Sequence, residues 1–163
     1  IIGVTKAYVT RVGGGPFPTE IEGPMQDQLR ERGGEYGATT GRPRRCGWFD
    51  GVVMRHAAKI NGLTQLAITK MDVLGDLEKI PVCTGYKYDG ATINDFPTDI
   101  FRLEKCQPIY VELPGWREDI SRITNYQQLP GAAKNYIEKL AELAEAKVAL
   151  ISVGADRGQI IKL

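Results

Sequence analysis

Thirteen consecutive residues, Ala38-Thr39-Thr40-Gly41-Arg42-Pro43-Arg44-Arg45-Cys46-Gly47-Trp48-Phe49-Asp50, gather two hydroxyls, a small glycine and three guanidiniums ahead of an apolar shoulder. A planar guanidinium binds a carboxylate or phosphate through two parallel hydrogen bonds, and threonine hydroxyls beside it add short-range donors. No helical or strand period runs through the stretch, and Pro43 removes a backbone donor from its middle. It is expected to be an ordered loop whose arginines converge on an anion. Trp48 and Phe49 tie such a loop to a core, which a merely solvated basic turn would not need.

A second group follows the apolar run Leu63 to Ile68. Thr69-Lys70-Met71-Asp72 stands where open α/β sheets seat their ligands, at the end of a strand. The Asp72 carboxylate can accept both the N1–H and the exocyclic N2 amine of guanine, and adenine has no such pair of donors on that edge. The Lys70 stem can cover the face of the ring while its charge stays in water. This resembles the base-recognition motif of GTP-binding proteins, in which Asn or Thr precedes Lys-x-Asp. The final apolar run ends in the same manner, at Ile151-Ser152-Val153-Gly154, so its polar end is expected along the same sheet edge.

The elements that must position these groups follow from pattern and punctuation. Residues 1–12 are β-branched and aromatic and read as one strand. Gly13 to Pro18 is a rigid loop, and Thr19 is the expected N-cap of a helix ending near Gly33-Gly34. Asp50 should cap a helix over Val52 to Asn61, stopped by Gly62. Leu63 to Ile68 suits a short strand, Val73 to Glu78 one or two helical turns, and Pro81 to Tyr88 a strand. Asp89-Gly90 signals a hairpin into Ala91-Thr92-Ile93. Residues 95–106 read as irregular and Pro108 to Trp116 as a strand ending in a turn. Residues 131–146 form the most regular helical pattern, followed by a strand from Val148 to Val153. This alternation implies an α/β fold: a parallel-sheet core with a small antiparallel hairpin region, forming one unit over residues 1–163.

Composition narrows the function classes. Across 163 residues, 42% are hydrophobic and 25% charged, with a net charge of +1. That balance argues against a coat for nucleic acid or an anionic membrane. Gly41-Arg42-Pro43 with its flanking arginines is similar to an AT-hook core, but the wider basic footprint is missing. No apolar stretch approaches the ~18 residues of a membrane span. Cys46, Cys83 and Cys106 form no Cys-x-x-Cys pair, which favours a reducing, cytoplasmic setting over a disulfide framework or zinc site. The one histidine, His56, falls mid-helix and reads as a surface or packing residue. Apolar runs at both ends suggest a piece of a longer protein.

These sites and their flanks together resemble the adenylosuccinate synthetase family. The resemblance runs through Gly3-Val4-Thr5-Lys6-Ala7-Tyr8, Thr10-Arg11-Val12-Gly13, Gly15-Pro16-Phe17-Pro18-Thr19-Glu20, Thr39 to Arg45 and Gly47-Trp48-Phe49-Asp50. It continues with Thr69 to Leu74, Leu113-Pro114-Gly115-Trp116, Leu129-Pro130, Ala133, Tyr136-Ile137, and Ile151 to Gly154 with Asp156-Arg157. It implies a GTP-dependent ligase that uses Mg²⁺ and joins L-aspartate to IMP, acting as a cytoplasmic homodimer in AMP synthesis. Carried across by residue, Ala38, Thr39, Thr40, Gly41, Arg42 and Arg44 are expected to bind aspartate and IMP, with Val12 at the IMP ribose. Arg44, Lys70, Met71, Asp72, Ser152, Val153 and Gly154 are expected to bind GTP.

The family's glycine-rich phosphate loop, catalytic Asp and catalytic His have no counterpart in this sequence. No catalytic residue and no metal ligand are therefore expected here, and the chain corresponds to the C-terminal two-fifths of a member, inactive alone. Two turns depart from the family pattern, Gly154-Ala155 for Gly-Pro and Gly75-Asp76-Leu77 for Asp-Gly-Leu. The alternative reading is a guanine-nucleotide-binding module without catalysis.

Overall fold

A computed structural model describes all 163 residues. In chain order the elements are β1 (Ile2–Lys6), β2 (Val9–Arg11), α1 (Pro24–Gly33), β3 (Arg45–Gly47), β4 (Phe49–Asp50), α2 (Gly51–Asn61) and β5 (Gln65–Thr69). A 3₁₀ turn (Met71–Leu74) leads to β6 (Lys79–Tyr88), β7 (Ala91–Ile93), α3 (Ile100–Glu104) and β8 (Gln107–Pro114). After a second 3₁₀ turn (Tyr126–Gln128) come α4 (Gly131–Ala144), β9 (Lys147–Ser152) and β10 (Ile160–Lys162).

One sheet has the order β1-β5-β9-β10, parallel across its first three strands and closed by antiparallel β10. Lys6 lies opposite Thr69, and Ile68 opposite Ile151, so the polar ends of β5 and β9 emerge side by side. A second sheet is built on the long β6, antiparallel to β7 and β8 and parallel to short β4. A core of 28 buried residues runs through the molecule, including Leu66, Ile68 and Ile151 of the parallel sheet, Ile80 and Val82 of β6, and Leu140 and Leu143 of α4. Burying such side chains contributes about 1.5–3 kcal/mol each before entropy is subtracted.

Several local expectations hold for local reasons. Asp50 caps α2 by accepting from the Val52 and Val53 amides at 3.0 and 3.1 Å, and Gly62 ends the helix at φ 60°. The Asp89-Gly90 turn joins β6 to β7. α4 buries Ala133, Tyr136, Ile137, Leu140 and Ala144 on one face.

Others give way to longer-range demands. Residues 1–12 do not form one strand. At Ala7 and Tyr8 the chain turns inward, because Tyr8 is buried and the Ala7 carbonyl accepts from the Tyr136 hydroxyl at 2.5 Å. Thr19 caps nothing. It is fully buried without a partner for its hydroxyl, and α1 begins only at Pro24, after Gly23 at φ 74°. The run Ala38–Asp50 is a loop only as far as Arg44, since Arg45 to Gly47 pairs with β2 and Phe49-Asp50 with β6. Helical structure after β5 stops at Leu74 and does not reach Glu78. The stretch 95–106 contains α3, capped by the Asp99 side chain. The antiparallel part is also larger than one hairpin, because β6 and β8 pair along most of their length.

Candidate functional site

At the shared polar end of β5 and β9 lies a cleft of about 390 Å³, lined by Thr69, Lys70, Asp72, Val73, Ser152, Gly154 and Ala155, by Glu31 to Gly33 of α1 and by its C-cap Gly34. Lys70 sits at φ 64°, a left-handed conformation that costs a non-glycine residue energy and that favours functional positions. Its ammonium donates to the Gly33 carbonyl at 2.7 Å, one of the orphan acceptors at the end of α1. The next turn carries Asp72, whose Oδ1 is buried with no hydrogen-bond partner. A carboxylate oxygen left in that state costs roughly 1–3 kcal/mol until a donor arrives. Across the cleft the Ser152 hydroxyl donates to the Gly154 carbonyl at 2.7 Å and shapes the turn there.

The second feature is the loop of residues 36–43. Its base is closed by backbone: a Tyr36–Pro43 bridge, Gly37 N–H to Arg42 O at 2.9 Å, and Gly41 N–H to Gly37 O at 2.8 Å. Gly41 takes φ 63°, which favours glycine. Ala38, Thr39, Thr40, Gly41 and Arg42 are exposed at the tip. The three arginines do not converge. Arg44 pairs with Glu35, Arg45 pairs with Glu20, and Arg42 alone is exposed and unpaired.

Beneath this loop is a cluster that the sequence reading missed. Glu35 is 1% exposed and accepts from Lys6 Nζ at 2.8 Å, the Tyr8 hydroxyl at 2.6 Å and Arg44 at 2.7 Å. Burial pushes the Glu35 carboxyl toward protonation, but the donors from Lys6, Tyr8 and Arg44 outweigh it and hold it below the usual carboxylate range. Burial, reinforced by Glu35, pushes the Tyr8 hydroxyl up. One carboxylate against two cations leaves the cluster one positive charge. A Glu between Gly34 and Tyr36 carries no such signal locally; its partners come from β1, the β1–β2 link and the far side of the loop.

Other expected site residues are placed differently. Met71 and Val153 flank the cleft in sequence, but their side chains are fully buried in the core, which leaves only their backbone at the site. Val12 is 72% exposed beyond the end of β2 and lines neither the cleft nor the loop. Arg44 faces Glu35 rather than the cleft. His56 packs on Phe96 with ring centroids 4.9 Å apart. Nowhere do three or more His, Cys, Asp or Glu side chains gather in one place. No helix is long and apolar enough to cross a membrane.

Residues 1–161 match the family model described as adenylosuccinate synthetase. The chain is 55% identical to the adenylosuccinate synthetase of Desulforamulus reducens over 99% of its own length and 38% of that protein. It is 53% identical to that of Geotalea uraniireducens over its full length and 38% of the relative. Among solved structures, the fully ligated adenylosuccinate synthetase from Plasmodium falciparum superposes with a TM-score of 0.95 at 38% identity, covering 99% of this chain and 39% of that one. The chain thus spans about two-fifths of the length of the relatives it matches.

Proposed function

The chain belongs to the adenylosuccinate synthetase family, and on that premise we propose that it supplies the base pocket and the dicarboxylate loop of a GTP-dependent ligase. That enzyme joins L-aspartate to IMP, giving adenylosuccinate, GDP and phosphate in AMP synthesis. In this reading Asp72 takes the N1 and N2 protons of guanine, Lys70 covers the ring, and Ser152 and Gly154 form the far wall, with Met71 and Val153 contributing backbone. Thr39, Thr40, Gly41 and Arg42 take the aspartate carboxylates, Ala38 opens the loop, Arg44 stands between aspartate and the GTP side, and Val12 meets the IMP ribose.

The observation that carries the reading is Asp72 itself, which lines a cleft walled by Lys70, Ser152 and Gly154 and whose buried Oδ1 has no hydrogen-bond partner. Guanine offers two adjacent donors to a carboxylate, whereas adenine presents an acceptor at N1. The chain's share of catalysis is then orientation. Holding an aspartate amine against an activated purine is worth up to ~7–11 kcal/mol in favourable systems. The resemblance implies a magnesium ion, but the acidic side chains here do not assemble a site for one, so no step is routed through it. Homodimer formation and a cytoplasmic location belong to the same proposal.

The test is a base swap. In a polypeptide of the relatives' full length carrying this chain, Asp72→Asn should weaken GTP and favour the xanthine nucleotide, whose 2-oxo group accepts from the new amide. An unchanged preference for GTP removes Asp72 from the base pocket. The chain alone should form no adenylosuccinate; calorimetry of the isolated chain with GTP and ATP addresses the non-catalytic module, which requires selective GTP binding by this chain alone.

A further inference from the structure

The Glu35 carboxylate reaches across the base of the 36–43 loop. Glu35 is the residue before the loop and Arg44 the residue after it. They are joined twice, by Arg44 N–H to Glu35 O at 2.9 Å and by the Arg44 guanidinium to Glu35 Oε2 at 2.7 Å. The same carboxylate is anchored from below by Lys6 at the end of β1 and by Tyr8 just beyond it, at 2.8 and 2.6 Å. Gly33 closes the remaining side so tightly that a Cβ there would fall 2.2 Å from the Tyr8 hydroxyl. We propose that Glu35 is a positioning residue: by gripping Arg44 across the loop base, it sets how the loop and the guanidinium meet an anionic substrate. The proposal rests on the reading of this loop as the aspartate site.

Charge and geometry both favour positioning over simple stabilisation. A buried carboxylate with its cations is no more stable, as a rule, than a well-packed apolar substitute, so fold stability alone gives little reason for the cluster. A guanidinium has five N–H donors in a fixed fork, and the contact with Glu35 occupies one terminal nitrogen. The rest of the fork stays available in a plane that Glu35 fixes, and Arg44 is still partly exposed at 31%. Lys6 offsets the carboxylate, so the cluster keeps a net positive charge to offer a dicarboxylate. Arg42, unpaired at the tip, supplies affinity; Arg44, held from beneath, supplies direction.

The test uses steady-state kinetics in a polypeptide of the relatives' full length carrying this chain. Glu35→Gln should raise the KM for aspartate about tenfold or more, the scale of one charge-assisted contact. The kcat should stay within about twofold, a split between KM and kcat that a general loss of fold would not produce. Glu35→Asp, which keeps the charge on a shorter arm, should recover part of the loss. A folded Glu35→Gln with unchanged aspartate KM overturns the proposal if Arg42→Leu raises that KM. If Arg42→Leu also has no effect, the aspartate reading of the loop fails first. Should Glu35→Gln not fold, Tyr8→Phe removes one donor and no charge. An aspartate KM raised about threefold in that variant supports positioning, and an unmoved one refutes it.

Discussion

The Lys70 ammonium donates to the Gly33 carbonyl at 2.7 Å, which ties the end of β5 to the last turn of α1. That turn lines the cleft through Glu31, Arg32, Gly33 and Gly34, and the chain leaves it directly into Glu35 and the loop. The cleft and the 36–43 loop are therefore two faces of one helix end. The Tyr36 hydroxyl bonds back to Glu31 and reinforces the connection from the loop side.

Gly33→Ala tests how tightly this junction is packed. Alanine is the better helix former, and by propensity alone it would stabilise the turn by up to ~1 kcal/mol. The new Cβ would lie 2.2 Å from the Tyr8 hydroxyl and 3.1 Å from the Glu35 Cγ, so overpacking should win. We expect a net loss of about 1–3 kcal/mol, measured by urea unfolding. Tyr8→Phe in the same background should recover part of it. A Gly33→Ala chain as stable as the parent would mean that the tyrosine moves aside freely.

Asp50 serves two elements at once. Its Oδ1 caps α2 and its Oδ2 accepts from the Tyr86 hydroxyl at 2.5 Å, with the carboxylate 3% exposed. Burial pushes its acidity down, raising the pKa against the pull of those donors. Asp50→Ala removes a cap, worth about 1 kcal/mol, and strands the Tyr86 hydroxyl for about 1–3 kcal/mol more. Tyr86→Phe should cost less, since the cap survives. Equal losses in the two variants would mean that the Asp50 Oδ2 left unpaired by Tyr86→Phe costs as much as the lost cap.

Acid should erode the Glu35 cluster in a direction that can be worked out. A carboxyl whose folded pKa is lowered adds stability above its ordinary value of 4.5, and that stability is lost as the pH falls through the folded value. Glu20, held low chiefly by the Arg45 hydrogen bonds, behaves alike, while Asp50, with its pKa raised, acts in the opposite sense. Glu35→Gln should therefore be less stable than the parent at about pH 7, with a gap that narrows only as the pH falls below 4.5, by thermal melting. A gap that stays constant or widens in acid would contradict the lowered pKa of Glu35.

The sequence made local chemistry legible and long-range chemistry invisible. Asp50 and Gly62 could be placed because a cap and a stop each act within a few residues. Lys70, Asp72, Ser152 and Gly154 could be grouped because each pair follows an apolar run, and parallel strands bring such ends to one edge. Thr19 caps no helix because Gly23-Pro24 supplies the competing helix start. The break at Ala7-Tyr8 involves a contact 129 positions apart and the Glu35 cluster one 27 positions apart, both beyond any window of periodicity. α3 had a readable cap in Asp99, but five residues are too few to show a helical period.

Gly154 offers the most direct probe of the far wall of the cleft. A Cβ at this position would lie 2.2 Å from the Oε1 of Gln159. That amide is held at both ends, accepting from the Asp156 N–H at 2.8 Å and donating to the Ser121 carbonyl at 2.9 Å. The Gln159 backbone carbonyl also accepts from the Val153 N–H at 3.0 Å, so moving the side chain disturbs the turn that follows β9. Gly154→Ala must break at least one of these bonds, at a cost of about 1–2 kcal/mol in stability. If this wall faces guanine, GTP binding should weaken as well. Gln159→Ala forfeits the same side-chain bonds but makes room for the methyl group. The double variant should then fall short of additivity by about 1 kcal/mol or more, since both changes act on one clasp. Additive losses would show that the alanine is accommodated elsewhere and that Gln159 does not brace the cleft wall.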